Sequence, residues 1–180
     1  ASKTFQLSSE ANDSNYSDDQ TFSHYIVRRL PAEVMLDAIC QVTGVPEDYP
    51  GHPRGARAIE LWDNQLPSYF LDTFGRSLRE SPCECGSSGE PTMSQALHLL
   101  NAPEIEAKIQ SRSGRVIELA DSDHDTDQLI RQICLITVNR VPNQREKSTA
   151  HKLFENASRE QGIQDFLWVM MNSYDFLFVK

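Results

Sequence analysis

The stretch "LPAEVMLDAICQVTGVP", Leu30 to Pro46, contains both ends and the buried face of one helix. Pro31 suits a first-turn position, because the N–H it lacks would have no intrahelical acceptor there. Val34, Ala38 and Val42, flanked by Met35 and Ile39, fall on one side at helical spacing. Gly44 follows as a left-handed cap, and Pro46 blocks continuation. The same grammar recurs down the chain and predicts an all-α fold.

Upstream, "ASKTFQLSSEANDSNYSDDQTFSHYIVRR" is rich in Ser, Asn and Asp, and its apolar residues follow no period. Residues 1–29 are expected to form an extended N-terminal arm pinned by Phe5, Tyr16, Phe22 and Tyr25, with a disordered tail the alternative for the first dozen positions. Residues 30–180 are expected to form a single helical domain. Downstream, Pro46, Pro50, Gly51, Pro53 and Gly55 mark a long loop over 46–66. Pro67 should start a short helix through "SYFLDTF" that Gly75 closes. Thr92 and Gln95 match a capping box ahead of "MSQALHLL". Asn101 should cap the next helix, "APEIEAKIQSR", with Pro103 in its first turn and Gly114 at its end. "RVIELA" looks like a short turn before the acidic run "DSDHDTD". Leu129, Ile133 and Ile136, with Ile130 and Cys134 beside them, then share a face. Pro142 opens a helix whose Ala150, Leu153, Phe154 and Ala157 obey helical spacing. The helix near Ile163–Met171 is apolar nearly all round, so it should lie centrally or under a partner. The sum is an irregular bundle of about six or seven helices, with no alternating strand pattern and no repeat.

At 180 residues the chain can bury a real core. Its net charge of −9 argues against non-specific binding to nucleic acid or anionic lipid. The longest apolar run, "FLWVMM", is far short of the ~20 residues a membrane-spanning helix needs. The chain begins at Ala1 without an initiator Met or a signal peptide, as a processed or excised piece of something longer would. Cys40 and Cys134 sit in apolar helical segments and read as core thiols.

Chemistry is sparse. Cys83-Glu84-Cys85 lies in a turn, with one residue between the thiols and Gly86 after them, where haem attachment needs two residues between and a following His. Cys83 and Cys85 are either a shape-setting turn or short disulfide, or a redox or metal centre with Arg76 and Arg79 nearby. Asp121, Asp123 and Asp125 imitate three calcium-loop ligands, but Thr126 and Gln132 stand where Gly and Glu are required. Carboxylates answering a helix dipole explain that run without a metal, and no metal site is expected. Arg54, Arg57, Arg76 and Arg79 are matched over residues 54–80 by Glu60, Asp63, Asp72 and Glu80, which favours ion pairs over an anion patch. The five histidines are scattered and read as surface or capping residues. Trp62, Tyr69 and Phe70 raise a carbohydrate surface, against which core burial is the simpler reading. No catalytic constellation emerges, and whether the chain is an enzyme stays open.

Four segments together carry a resemblance: "FQLSSEANDSNYSDDQTFSHYIVRRLPAEVMLDAICQVTGVPE", "GARAIELWDNQLPSYFLDTFGRSLRESPCECGSSGEP", "QALHLLNAPEIEAKI" and "FLWVMMNSYDFLF". From about Thr4 to Phe178 the chain resembles the C-terminal planctomycete-specific domain of unknown function found in large multidomain proteins. Two departures stand out: Gly86-Ser87 replaces the family's Glu-Arg after the second cysteine, and "ICLITVNR" replaces a segment closer to L-Y-L-x-x-L-x-R. The family domain also begins before Ala1, so this chain is N-terminally truncated relative to it. The resemblance implies a companion domain in the same polypeptide and an extracytoplasmic location, periplasm or cell surface. It places no cofactor in this domain, and it allows haem on upstream domains. An oxidising compartment would favour a Cys83–Cys85 disulfide. The leading expectation is a non-catalytic helical domain of a larger bacterial cell-envelope protein, acting in domain packing, assembly or binding. The alternative is a redox or hydrolytic accessory domain whose Cys83/Cys85 turn faces a haem- or substrate-bearing neighbour.

Overall fold

The computed structural model describes residues 3–18, 20–61, 66–76 and 92–179, with the side chains of Thr4, Phe5 and Ala96 outside that description. Helix α1 (Ala32–Thr43) is followed by α2 (Tyr69–Thr73), α3 (Met93–Asn101), α4 (Pro103–Ile109) and α5 (Arg115–Ala120). Then come α6 (Thr126–Val138), α7 (Gln144–Glu155), α8 (Arg159–Met171) and α9 (Tyr174–Leu177). The fold is all-α, with one small exception. β1 (Arg28–Arg29) pairs antiparallel with β2 (Phe178–Val179), Arg28 opposite Val179 and Arg29 opposite Phe178. Two residues per strand leave no alternating pattern to detect, which is why the sequence gives no sign of them.

Local signals set most helix ends. Gly44 takes φ 72°, the left-handed conformation that an L side chain resists, and so ends α1 where expected. Thr92 and Gln95 form the anticipated capping box on α3. Asp125 and Gln128 form another on α6, and Asn143 and Glu146 a third on α7. In each, two orphan N–H groups find acceptors. The prolines sit slightly earlier than expected. Pro31 occupies the cap position of α1, while Pro67 and Pro142 precede the caps Ser68 and Asn143. Ala102, not Asn101, caps α4, with Asn101 the last residue of α3.

"RVIELA" is a helix, α5, and not a turn. Gly114 opens it instead of ending α4. A Cβ on Gly114 would approach the Thr43 carbonyl to 3.0 Å, so glycine lets the start of α5 press against the end of α1. Six residues have little intrinsic helicity. Val116 and Leu119, both buried, tie α5 to the core.

Helix α8 is the hub, packing on α4, α5, α6, α7 and α9. Its Ile163, Phe166, Leu167, Met170 and Met171 are buried on more than one side, which explains the absence of a single apolar stripe. Of the two explanations for an all-round apolar helix, central burial is the one observed. α6 faces it with Leu129, Ile130, Ile133 and Cys134, all fully buried. Burying such side chains contributes about 1.5–3 kcal/mol each before entropy is counted.

The arm is shaped by side-chain turns. Asp18 accepts from the Thr21 N–H (2.8 Å) and the Ser23 N–H (3.0 Å), and bonds from Ser23 and Thr21 hold its carboxyl below the usual range. Tyr16 and Phe22, expected to pin the arm, are exposed. The loop after α1 is anchored through Asp37, which accepts the Ala58 (2.6 Å) and Ile59 (3.2 Å) N–H groups.

An ion-pair clamp ties the α6–α7 loop to α9. Arg140 donates to both Glu146 oxygens (2.9 and 2.7 Å) and through Nε to Asp175 (3.0 Å). The hydrogen bonds from Arg140 hold the Glu146 carboxyl below its ordinary 4.5. A depressed carboxylate contributes stability above its unfolded pKa and loses it as pH falls through the folded value. Glu146→Gln should therefore cost about 1 kcal/mol near neutral pH, as expected for a partly exposed pair. That difference should shrink towards zero as pH falls through the depressed folded-state pKa of Glu146, as followed by urea unfolding across the range. A difference that does not vary with pH would show that the clamp contributes nothing electrostatic.

Candidate functional site

Of the sequence-predicted site residues, Arg79, Cys83 and Cys85 lie outside the described residues. Arg76 is described, and it is occupied. Its Nη2 pairs with Asp72 at 2.9 Å and its Nη1 donates to the Leu66 carbonyl at 2.6 Å, fixing the end of α2 as the ion-pair reading expected. Arg57 pairs with Asp37 at 3.5 Å instead of a partner in 54–80. Glu60 accepts the Arg57 backbone N–H. Asp63 and Glu80 lie outside the described residues.

Arg29 occupies a different position. Its Nη1 donates to Gln95 Oε1 (2.5 Å) and its Nη2 to the Phe74 carbonyl (3.0 Å). The guanidinium stands 5.5 Å from the centre of the Phe74 ring. Gln95 is itself engaged, accepting from the Thr92 N–H and donating to the Thr73 carbonyl. Both acceptors of Arg29 are neutral, and no carboxylate among the described residues pairs with it. Burial lowers its pKa, and its Nε is enclosed without an acceptor. A buried donor left unmet costs about 1–3 kcal/mol. Arg29, Gln95 and Thr92 face a cavity of about 320 Å³ whose other walls include Met35, Phe74, Leu99 and Leu177. In the sequence Arg29 is simply the second of two arginines ahead of α1. Its site is assembled by pairing with β2, nearly the whole chain away.

His98, expected to be a surface or capping residue, is buried. Its ring sits among Tyr69, Phe70 and Phe74, with centroids 5.1, 5.5 and 5.8 Å away. Its Nε2 lies 3.1 Å from Glu104 Oε1, without the alignment of a hydrogen bond. Phe70 is core, as the simpler reading held, but Tyr69 is 72% exposed. Trp62 lies outside the described residues.

A third cluster surrounds Lys108, which is buried yet saturated. It bridges Glu47 (2.9 Å) and the Val45 (3.2 Å) and Pro46 (3.3 Å) carbonyls, so all three of its protons are used. Burial pushes the neighbouring Cys40 thiol up, and burial with the Glu47 charge does the same to the Tyr49 hydroxyl. Burial also pushes Cys134 to about 11. Protonated thiols are poor nucleophiles, so both cysteines serve packing. The acidic run is structural too. Asp121 caps the end of α5, and the Asp125 carboxylate is taken by the Gln128 N–H. Among the described residues no three His, Cys, Asp or Glu side chains converge as metal ligands, and no helix is long and apolar enough to cross a membrane.

Helix α3 presents its chemistry inside out. It buries Gln95 and His98 and turns outward Met93, Leu97 and Leu100, which are 76%, 53% and 46% exposed. Beside it runs a groove of about 290 Å³ floored by Leu99, Ile105 and Ile109, with Trp168 of α8 on the far wall. Glu106 and Asp165 stand at its rim. Their described hydrogen bonds come from the amides of Gln110 (2.9 Å) and Gln161 (2.7 Å), and no cation among the described residues pairs with either.

No curated protein and no solved structure matches the chain. A family model does, over residues 1–154 of the 180. By that match the chain belongs to the PSD1 family, proteins of unknown function (DUF1553).

Proposed function

We propose that the chain is a non-catalytic helical module of a larger bacterial cell-envelope protein, and that it docks a companion domain through α3 and the adjoining groove. The carrying observation is the inverted helix: three large apolar side chains at i, i+4 and i+7 face water while Gln95 and His98 are buried. Contiguous exposed apolar surface with a polar rim marks interaction sites. Glu106 and Asp165, with which no described cation pairs, favour a partner that brings Lys or Arg to the rim of its own apolar face. The non-catalytic reading draws support from the occupied states of Lys108, Arg140 and Arg76 and from the protonated thiols. The envelope setting and the companion domain rest on the resemblance to planctomycete proteins.

Hydrogen exchange of the full-length polypeptide against this chain alone tests the proposal. The amides of α3 should exchange about tenfold or more slowly in the longer protein, and Leu97→Asp should abolish the difference. Equal exchange of α3 in the two forms would overturn the docking reading.

A further inference from the structure

We infer that the Arg29 cavity is a binding site for a medium-chain aliphatic carboxylate. This goes beyond the docking role and stands on separate observations, although Leu99 and Leu100 line both places.

The volume of about 320 Å³ falls within the range of small-molecule sites, roughly 300–1,000 Å³. The wall is mainly hydrocarbon and aromatic, from Met35, Phe74, Leu100 and Leu177, which suits an alkyl chain and offers a polar ligand little. Among the described residues that line the cavity, Arg29 is the one that carries a charge. Two of its five N–H groups are spent on the Gln95 and Phe74 oxygens, both neutral, and its Nε is enclosed away from solvent, which leaves one N–H on each terminal nitrogen for a ligand. A guanidinium is most strongly satisfied by a carboxylate bound through two parallel N–H groups. Gln95 cannot turn away to relieve it, because its oxygen also caps α3 and its amide nitrogen donates to Thr73. An anion is the missing partner, and the apolar wall sets what that anion is attached to. Such a ligand is an amphiphile with a single small head, not a sugar or a nucleotide.

Decanoate is the probe, titrated calorimetrically into the chain below its micellar concentration, with decanol and decyltrimethylammonium as uncharged and cationic controls of equal tail. Decanoate should bind with a Kd below about 1 mM, and the controls about tenfold or more weakly. Arg29→Gln should weaken decanoate about tenfold or more, and Arg29→Lys should restore part of the loss by keeping the charge without the fork. Leu100→Trp, at an exposed position on the cavity wall, should block binding while leaving Arg29 in place. If Arg29→Gln does not fold, Leu100→Trp decides the matter. Absence of decanoate binding, equal affinity for the three amphiphiles, or undiminished binding by Leu100→Trp would each overturn the inference.

Discussion

Replacing Phe166 with alanine should lower the unfolding free energy by about 3–5 kcal/mol, the range for deleting a fully buried aromatic ring. Phe166 is completely buried on α8, the helix shared by α4, α5, α6, α7 and α9. A cavity there touches several packing layers at once, and close-packed surroundings collapse only partly around it. A domain stable by about 5–15 kcal/mol would lose a third or more of its margin. Urea unfolding by circular dichroism measures the change, and Trp168→Ala on the outer face of the same helix is the control. A loss under about 1 kcal/mol for Phe166→Ala would mean that α8 is not the hub.

Arg159→Ala carries the second-largest expected cost, about 2–4 kcal/mol. The residue opens α8, where a cation opposes that helix's own dipole. Its side chain instead reaches the far end of α5. It donates to the carbonyls of Ala120 (2.9 Å), Ser122 (2.9 Å) and His124 (2.8 Å), with a longer contact to Leu119. Carbonyls at a helix C-terminus lack intrahelical donors, and a positive group answers both that need and the negative dipole end. The alanine variant leaves several of these acceptors unmet at once. Arg159→Lys should recover less than half, since one ammonium cannot copy the fork. The α5 amides should show the loss first in hydrogen exchange, because so short a helix depends on its tethers. Unchanged stability together with unchanged α5 protection would refute this account.

The two proposed sites have a common origin in α3. Its capping residue Gln95 points inward because it also holds Arg29 and the end of α2. Its inward stripe is therefore partly polar, and Leu97 and Leu100 face outward while Leu99 stays against the core. The proposed docking face and the proposed Arg29 site thus adjoin the same helix.

The helical class was legible because capping boxes, glycine caps and 3.6-residue stripes are local. Thr92 with Gln95, Gly44 and the Leu129–Cys134 face each needed only neighbours a turn or two away. The buried side of α6 could be read directly, since its apolar residues recur at helical spacing. α8 could be read as apolar all round, but its burial from several directions became visible only with five other helices in place. α5 was missed because six residues carry too short a pattern, and because Gly114, a helix breaker by local rules, is required by contact with Thr43. His98 and Tyr69 exchanged their expected places for the same kind of reason. An imidazole fits among three aromatic rings, while the tyrosine side of α2 faces solvent.

The residue types and their periods thus determined that this chain would be helical, where its stronger helices begin and end, and that its thiols at 40 and 134 would be packing groups. Tertiary structure alone decided which way α3 faces, that Arg29 meets Gln95 across sixty-six positions, and that Lys108 and Arg159 are spent on backbone carbonyls. Periodicity reports which residues share a face of one helix. It does not report which other element that face meets, and charge pairing, cavities and exposed patches are properties of such meetings.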